Sequence, residues 1–472
     1  MLIEKLDNKG LLQEIWLYLT IKDIKHLFVV NKCVNSLSLK INKIISQKIV
    51  INFPFACHDL IMHEQSLALK TIFVNFPNIY NLILDIDNEL DYEVLSVLYK
   101  TKSVCKSLKN LNVVISNESS EGISNLFNVE VLDISYSPIR ETNGMLIEIC
   151  SMTKITSLNI SNCHEIYNEV LSPLSNLTRL KYLYMDHCYG LSNEGLQHLA
   201  TLTNLEHLDL SYCTNISNEG LLHLKHLVNL KFLNLKVSAI SSLSVLETLV
   251  NIETLDLTHC HLFTIQDFSS ILYLNKLKFL SFYGCELLTD EILNDEVLVH
   301  LSKLINLTYL DLSFCGITSL SSLSTLVNLI SLRLGKCSKL TDHGFSYISC
   351  LTNLTYLDIC ECDLTDDSLA LLSNLTKLTY LNLFMSKCSK LSFLNPLVNI
   401  NHLDLSMCDN ITNDELKSIF NLTNLRKLYL HACEKLSKVG YLSLKENLPH
   451  LNVLELDVFS DDSSNNNDSF VE

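Results

Sequence analysis

A short alternation of leucine with polar residues is the first pattern along this chain, and it returns at a regular interval. In "LEHLDLSYC", residues 205–213, apolar side chains stand at the first, fourth and sixth positions and a cysteine stands at the ninth. Segments with this spacing follow one another after 21 to 30 residues. The sixteen segments begin at Ile79, Leu108, Val129, Ile155, Leu180, Leu205, Leu230, Ile252, Leu277, Leu307, Leu329, Leu354, Leu378, Ile400, Leu425 and Leu451.

The alternation predicts a short strand in each segment, because Leu208 and Leu210 then point to one side and His207, Asp209 and Ser211 to the other. One strand cannot bury its leucines alone, so the units must stack on one another. The second half of a unit, such as "ISNEGLLHLKHL" at 216–227, has the apolar spacing of a helix. The pattern therefore predicts an α/β fold, a horseshoe-shaped solenoid with a concave parallel sheet and convex helices or 3₁₀ turns.

The recurring cysteine is predicted to be architectural. Cysteines spread along a solenoid axis cannot converge on one metal ion, and a small, weakly polar side chain can pack where the chain turns inward. Ser137, Ser238 and Ser386 take the same position in three further units. We therefore expect neither a metal site nor a cofactor. Ten of the seventeen cysteines occupy this position: Cys163, Cys188, Cys213, Cys260, Cys285, Cys315, Cys337, Cys362, Cys408 and Cys433.

This repeat resembles the leucine-rich repeat family over roughly four-fifths of the chain. We assign residues 108–459 to a leucine-rich-repeat solenoid, 49–107 to a linker with degenerate capping repeats, and 460–472 to a disordered acidic tail. Three units of 22 residues, beginning at Leu230, Leu307 and Leu378, have less room for a helix. We expect an extended or 3₁₀ path in those units.

Residues 1–48 do not fit the repeat, and their apolar spacing is helical. The phrases Leu11-Leu12, Ile15-Trp16, Asp23-Ile24 and "VNKCV" from Val30 resemble an F-box. The resemblance implies a surface that binds a Skp-type adaptor and, through it, a cullin. The alternative is a plain cap that covers the open end of the solenoid core. The adaptor-binding residues implied by the resemblance are Leu11, Leu12, Ile15, Trp16, Leu19, Ile24 and Val30.

Composition narrows the partners and the compartment. The net charge is −17, with +4 on residues 1–50 and −21 on the remainder, so a nucleic-acid partner is not expected. The sequence contains no run of 18 apolar residues, so no membrane span is predicted. An odd number of cysteines and an amino terminus without a signal-like stretch favour a reducing compartment. We expect the cytoplasm, the nucleus, or a host cytoplasm if the protein is an effector.

The predicted concave face carries two informative columns. Acidic and non-acidic residues alternate in the central column, where Arg333 between Asp311 and Asp358 could bridge both. The preceding column is aromatic and suits a protein with a basic or mixed surface. Duplication of a consensus would also produce such columns, so positions where the copies disagree are informative. The partner-binding candidates are Tyr184, Asp186, Phe279, Tyr283, Tyr309, Arg333, Tyr356, Tyr380, Phe384, Tyr429 and His431.

An F-box followed by cysteine-containing repeats resembles the substrate-recognition subunit of a Skp–cullin–F-box ubiquitin ligase. The resemblance implies a target protein held by the repeats and catalysis by other subunits, so no catalytic residue is predicted. The alternative is a non-enzymatic leucine-rich-repeat scaffold, or a microbial or viral effector, without any link to ubiquitin.

Overall fold

The computed structural model describes residues 49–51, 69–70, 73, 79–84, 92–115, 121–139, 144–260, 265–285 and 295–455. The F-box-like segment at 1–48, with all seven predicted adaptor-binding residues, lies outside the described residues, and so does the tail at 460–472.

Short strands recur at the predicted positions, and each of those from β4 on has three residues centred on the second apolar residue of the motif. The strands are β1 (Ile49–Ile51), β2 (Asn81–Leu84), β3 (Asn110–Val113), β4 (Val131–Asp133), β5 (Ser157–Asn159), β6 (Tyr182–Tyr184), β7 (His207–Asp209), β8 (Phe232–Asn234), β9 (Thr254–Asp256), β10 (Phe279–Ser281), β11 (Tyr309–Asp311), β12 (Ser331–Arg333), β13 (Tyr356–Asp358), β14 (Tyr380–Asn382), β15 (His402–Asp404), β16 (Lys427–Tyr429) and β17 (Val453–Glu455). The predicted strand period is therefore confirmed.

The chain divides into two units, one of Met1–Ile240 with Val245–Ile252 and the other of Ser241–Ser244 with Glu253–Glu472. In the first unit, β1 to β8 pair in sequence order, each parallel to the next. In the second unit, β9 to β17 do the same. The register pairs equivalent residues of adjacent repeats, such as Leu208 with Leu233 and Leu357 with Leu381. Buried leucines thus form continuous rows beneath each sheet.

Helical turns occupy the second half of the units. The α-helices are α1 (Tyr92–Lys100), α2 (Lys102–Ser107), α3 (Met145–Cys150), α4 (Asn193–Leu196), α5 (Asn218–Leu221), α6 (Asp295–Leu301), α7 (Asp342–Phe345), α8 (Asp366–Leu369) and α9 (Lys438–Asn447). The 3₁₀ helices are Ile123–Asn125, Asn168–Asn176, Gln197–Leu199, Leu222–His226, Ser244–Glu247, Ile265–Tyr273, Ser321–Thr325, Ser346–Cys350, Ala370–Asn374, Ser392–Leu394 and Glu415–Ile419. The three 22-residue units carry a 3₁₀ helix and no α-helix among their described residues, as expected. The longer units with Asn168–Asn176 and Glu415–Ile419 do the same, so unit length alone does not determine the type of helix.

Each strand from β4 to β16 is followed by a turn that holds one residue in the left-handed conformation. In β7's unit the Cys213 N–H donates to the Leu210 carbonyl at 3.2 Å, and Tyr212 between them has φ 60°. The Tyr212 N–H donates to the Lys236 carbonyl of the next repeat at 2.7 Å, which holds this costly backbone conformation in place. We call these positions the left-handed column. Its members are Tyr136, Asn162, His187, Tyr212, Val237, His259, Gly284, Phe314, Lys336, Glu361, Met385, Met407 and Ala432.

A buried cysteine follows the left-handed residue in ten of these repeats, and serine follows it in three. Cys213 Sγ donates to the Met185 carbonyl of the preceding repeat at 3.2 Å, and Cys337 Sγ donates to the Leu312 carbonyl at 3.1 Å. Burial raises the pKa of the Cys213 thiol to about 12. The predicted architectural role of the cysteines is confirmed by these contacts.

Asparagine and glycine connect the helical turns of successive repeats. Asn193 accepts the Ser217 N–H at 2.8 Å through Oδ1, and its amide donates to the Ser217 hydroxyl at 2.8 Å. A Cβ on Gly220 would lie 2.5 Å from Asn193 Oδ1, so only glycine leaves room for this contact. The recurring phrase "SNEG" is therefore a device that joins one repeat to the next.

Candidate functional site

The central column is formed by the third residue of each strand, and in most repeats this residue closes the turn that follows its own strand. Asp209 Oδ1 accepts the Ser211 N–H at 2.9 Å, and Asn234 Oδ1 accepts the Lys236 N–H at 3.1 Å. The Asn234 amide also donates to Asp209 Oδ2 at 3.1 Å. An acid beside an amide gives this hydrogen bond, whereas two carboxylates would repel one another. The alternation seen in the sequence thus has an explanation within the fold.

In the second unit, aromatic side chains on the open face of the sheet stack on one another along successive strands. Phe279 and Tyr309 are stacked with ring centroids 4.1 Å apart. Tyr356 stacks on Tyr380 at 4.0 Å, and Tyr380 stacks on His402 at 4.3 Å. We call the row the ring ladder, and its members are Phe279, Tyr309, Arg333, Tyr356, Tyr380, His402 and Tyr429.

Arg333 joins the two halves of the ring ladder. Its own strand has Ser331 where the neighbouring strands have rings, and the guanidinium fills this gap. The guanidinium carbon lies 5.6 Å from the Tyr309 centroid and 4.8 Å from the Tyr356 centroid. Its Nε atom is buried without a hydrogen-bond partner. The guanidinium is therefore held by cation–π contacts.

The expected bridge from Arg333 to two aspartates is not formed as ion pairs. Among the described residues, neither Asp311 nor Asp358 is ion-paired with Arg333. Asp311 is 3% exposed and accepts the Ser313 N–H at 2.9 Å. Burial raises the pKa of this carboxyl above its usual value. The backbone turn, rather than the arginine, is the direct partner of the aspartate.

The first unit carries a shorter stack centred on His207. The imidazole lies 3.8 Å from the Phe232 ring with an interplanar angle of 8°, and 4.6 Å from the Tyr184 ring. Its Nε2 atom is buried without a hydrogen-bond partner, and burial lowers the pKa of the imidazole. His207 and His402 were not among the predicted partner-binding residues, because the aromatic column was read from tyrosine and phenylalanine alone. Their position before the central leucine was the available signal.

Four predicted residues lie two positions beyond the end of a strand. The same position holds buried serine or threonine in other repeats, such as Ser211 and Ser313. Tyr283 there contacts His259 and Phe314 edge to face, with centroids 5.3 and 5.1 Å apart. Large half-buried side chains at this position distinguish their repeats from the others. The four residues are Asp186, Tyr283, Phe384 and His431.

The structure thus sorts the partner-binding candidates into three groups. The ring ladder of the second unit contains Phe279, Tyr309, Arg333, Tyr356, Tyr380 and Tyr429. Tyr283, Phe384 and His431 lie past the strand ends of the same unit. Tyr184 and Asp186 belong to the first unit, where Asp186 Oδ2 is 2.9 Å from His187 Nδ1.

The described residues show neither a metal-binding cluster nor a membrane-spanning helix. Within the described residues, no group of three or more histidine, cysteine, aspartate or glutamate side chains has the arrangement of a metal site. The helices in the same part of the chain include none whose length and apolar character suffice for crossing a bilayer.

Comparisons with known proteins agree with this architecture. Residues 314–458 match a family model described as plant disease resistance protein RPS2-like leucine-rich repeats. None of the curated proteins compared with the sequence matches it. An internalin (InlF) of Listeria monocytogenes is similar in structure, with 24% identity, 76% of this chain and 92% of that chain covered, and a TM-score of 0.51.

Two other solved structures have the same kind of likeness. A leucine-rich-repeat protein of Leptospira interrogans has 17% identity and a TM-score of 0.57, over 82% of this chain and 98% of that chain. TLR13 in complex with ssRNA13 has 19% identity and a TM-score of 0.51, over 87% of this chain and 71% of that chain. At such identities the likeness concerns the fold. The described part of the chain has the α/β fold of a leucine-rich-repeat solenoid.

Proposed function

We propose that the protein is a non-enzymatic scaffold that holds a target protein on the open face of the sheet in its second unit. The observation that supports this is the ring ladder from Phe279 to Tyr429. Stacked aromatic rings and a guanidinium on an open face are the side chains enriched in protein interfaces. The rings are only half-buried, so contact with a partner would remove further apolar area from water.

The stacking also limits how the ladder can be used. Ring faces at centroid distances of about 4 Å are occupied by neighbouring rings, so a partner meets ring edges and tyrosine hydroxyl groups. Phe384, past the end of β14, has no ring neighbour of this kind among the described residues. It is therefore our first choice as an interface anchor, followed by Tyr283.

The test compares face variants with a helical-side control in the full chain, once a target has been captured and purified. Phe384→Ala should weaken binding by about 1–3 kcal/mol if the residue is an anchor. Tyr273→Ala is the matched control, because Tyr273 is 50% exposed but ends a 3₁₀ helix rather than lying on the sheet. Normal binding by the face variants, with crosslinks only to helical turns, would refute the proposal.

A finer proposal concerns the ubiquitin pathway. The F-box-like phrases around Ile15 and Trp16 support a substrate-recognition subunit of a Skp–cullin–F-box ligase, working in the cytosol or nucleus. A pull-down from eukaryotic lysate should then recover a Skp-type adaptor with cullin. Replacing Ile15 and Trp16 by alanine should abolish recovery while leaving the melting temperature unchanged. A lowered melting temperature without adaptor recovery would instead identify the segment as a cap, leaving a scaffold without a ubiquitin link.

A further inference from the structure

The residue immediately before each strand forms a column along the edge of the sheet, which we call the edge column. Among the described residues of the first unit, its charged members are paired. Lys109 lies 2.5 Å from Glu130, and Glu206 contacts both Lys181 at 2.7 Å and Lys231 at 2.6 Å. The hydrogen bonds from these two lysines hold the pKa of Glu206 at about 2. Each charge in these groups therefore has a partner of opposite sign.

In the second unit the edge column begins in the same way and then changes. Glu253 and Lys278 are paired at 2.7 Å. The next five members are uncharged, and the column reaches a charge again at Arg426. Nη1 of Arg426 donates to the backbone carbonyls of Thr423 and Leu425 at 2.9 and 3.1 Å. No ion pair joins Arg426 to a carboxylate in the part of the chain that the structure describes, so its charge is not neutralised there.

The surface opens into a groove of about 580 Å³ at this place. Its lining includes two cationic side chains and no carboxylate. Lys377 Nζ donates to Asn353 Oδ1 at 2.6 Å, which leaves its other N–H groups for a ligand. The volume falls within the range of about 300–1,000 Å³ that is typical of ligand clefts. The lining residues are Thr355, Lys377, Thr379, Asn399, Asn401, Asn424 and Arg426.

The neutral lining residues leave a defined set of free hydrogen-bonding atoms. The amides of Asn399 and Asn424 donate to the Thr376 and Val398 carbonyls, so their oxygens remain as acceptors. The Thr379 hydroxyl donates to the Thr355 carbonyl at 3.0 Å. The strongest free donors are thus the two cations, and the acceptors around them suit the N–H groups of a peptide backbone.

We propose that this groove binds an oxyanion carried by a peptide segment of the target protein. The oxyanion is a carboxylate or a phosphate ester, and Arg426 and Lys377 are its partners. The inference deepens the proposed function and rests on it, because the groove lies at the edge of the strands that carry the ring ladder. Cations without an acidic partner in a chain of net charge −17 are the feature that the fold itself does not require.

The test uses the full chain and defined probes in fluorescence anisotropy titrations at low salt. The probes are a labelled hexaglutamate peptide, a labelled glycine–serine peptide with one phosphoserine, and its unphosphorylated form. We expect one of the two anionic peptides to bind, and the stronger one identifies the source of the oxyanion. Arg426→Gln and Lys377→Gln should each weaken that binding at least about tenfold, because each removes a charge-assisted hydrogen bond.

Lys231→Gln is the matched control, because this edge-column cation already contacts Glu206. Thr379→Asp is a second variant, which keeps both cations and should abolish binding by repulsion, with circular dichroism melts to verify folding. An equal loss of peptide binding with Lys231→Gln, or no binding of either anionic peptide, would overturn the proposal that the groove binds an oxyanion. If Phe384→Ala impairs target binding while Arg426→Gln does not, the scaffold function stands and the groove proposal fails. The opposite result keeps the groove and rejects Phe384 as an interface anchor.

Discussion

Residues that pack between repeats differ from residues on the open face in the kind of neighbour they meet. Cys213 and Gly344 contact the backbone of the preceding repeat, at the Met185 and Thr318 carbonyls. On the open face, Tyr356 meets other side chains, which can shift or be replaced. Backbone contacts accept few residue types, whereas side-chain contacts accept many. The interior therefore defines the fold, and the face is where the repeats could diverge for a partner.

The largest expected effect is on stability, from Gly344→Ala. A Cβ at this position would lie 2.0 Å from the Thr318 carbonyl oxygen and 2.6 Å from Ser319 Cα, both of which are backbone atoms. We expect a loss of about 3 kcal/mol in the free energy of unfolding, although alanine is the better helix former. Gly316→Ala is the control, since its Cβ would meet only Lys339 Cδ at 3.9 Å. Urea denaturation of both variants measures the difference. Equal stabilities would contradict the statement that backbone contacts between repeats accept few residue types.

A smaller effect is expected from Arg333→Gln on the open face. Glutamine keeps a polar chain of similar length but loses the cation–π contacts with Tyr309 and Tyr356, worth about 1–2 kcal/mol together. Lys336→Gln is the control, because that lysine covers Phe314 at 4.8 Å and pairs with Glu361 at 3.3 Å, but its side chain is 42% exposed. The control should change the free energy of unfolding by less than about 0.5 kcal/mol. A larger loss in the control would contradict the expectation that the contacts of Arg333 in the ring ladder stabilise the fold.

The sequence alone predicted the features of the fold that recur with the repeat period. Leu208 and Cys213 were predicted correctly because a fixed spacing determines their direction and burial. The role of Arg333 could not be predicted, since it depends on the register that puts Ser331 beside two tyrosines. Similarly, the unpaired Arg426 is visible only after the edge column shows which lysines have partners. Contacts between side chains of different repeats thus require the structure.

The buried cysteines that follow the left-handed column, such as Cys213, test the same comparison with a smaller expected effect. Cys213→Ser should lower the free energy of unfolding by about 1 kcal/mol, because a shorter hydroxyl replaces a buried thiol bonded to the Met185 carbonyl. Cys350→Ser is the control, since Cys350 is exposed. Mass-spectrometric mapping after mild alkylation should label Cys350 and spare Cys213, whose thiol pKa is raised to about 12 by burial. Rapid native-state labelling of Cys213 would show that the turn opens easily.

The smallest expected effect is a pH dependence of stability from the two stacked histidines. Burial lowers the pKa of His207, opposed by Asp209, and also lowers that of His402, which Lys427 lowers further and Asp404 raises. An unfolded histidine has a pKa near about 6.5, so the unfolded chain binds more protons than the folded one in the window below that value.

The stability contribution of each histidine is therefore complete above the unfolded pKa. It is lost as the pH falls from about 6.5 through the folded pKa, with a slope of at most about 1.4 kcal/mol per pH unit for each ring. His207→Phe should reduce the slope while keeping the stack on Phe232, because phenylalanine has no proton to gain. Urea denaturation between pH 8 and pH 5 measures the slopes of the parent chain, His207→Phe and His402→Phe. If the slope stays the same in both variants, the two imidazoles are not the groups that titrate, and the stacked histidines do not make the free energy of unfolding depend on pH.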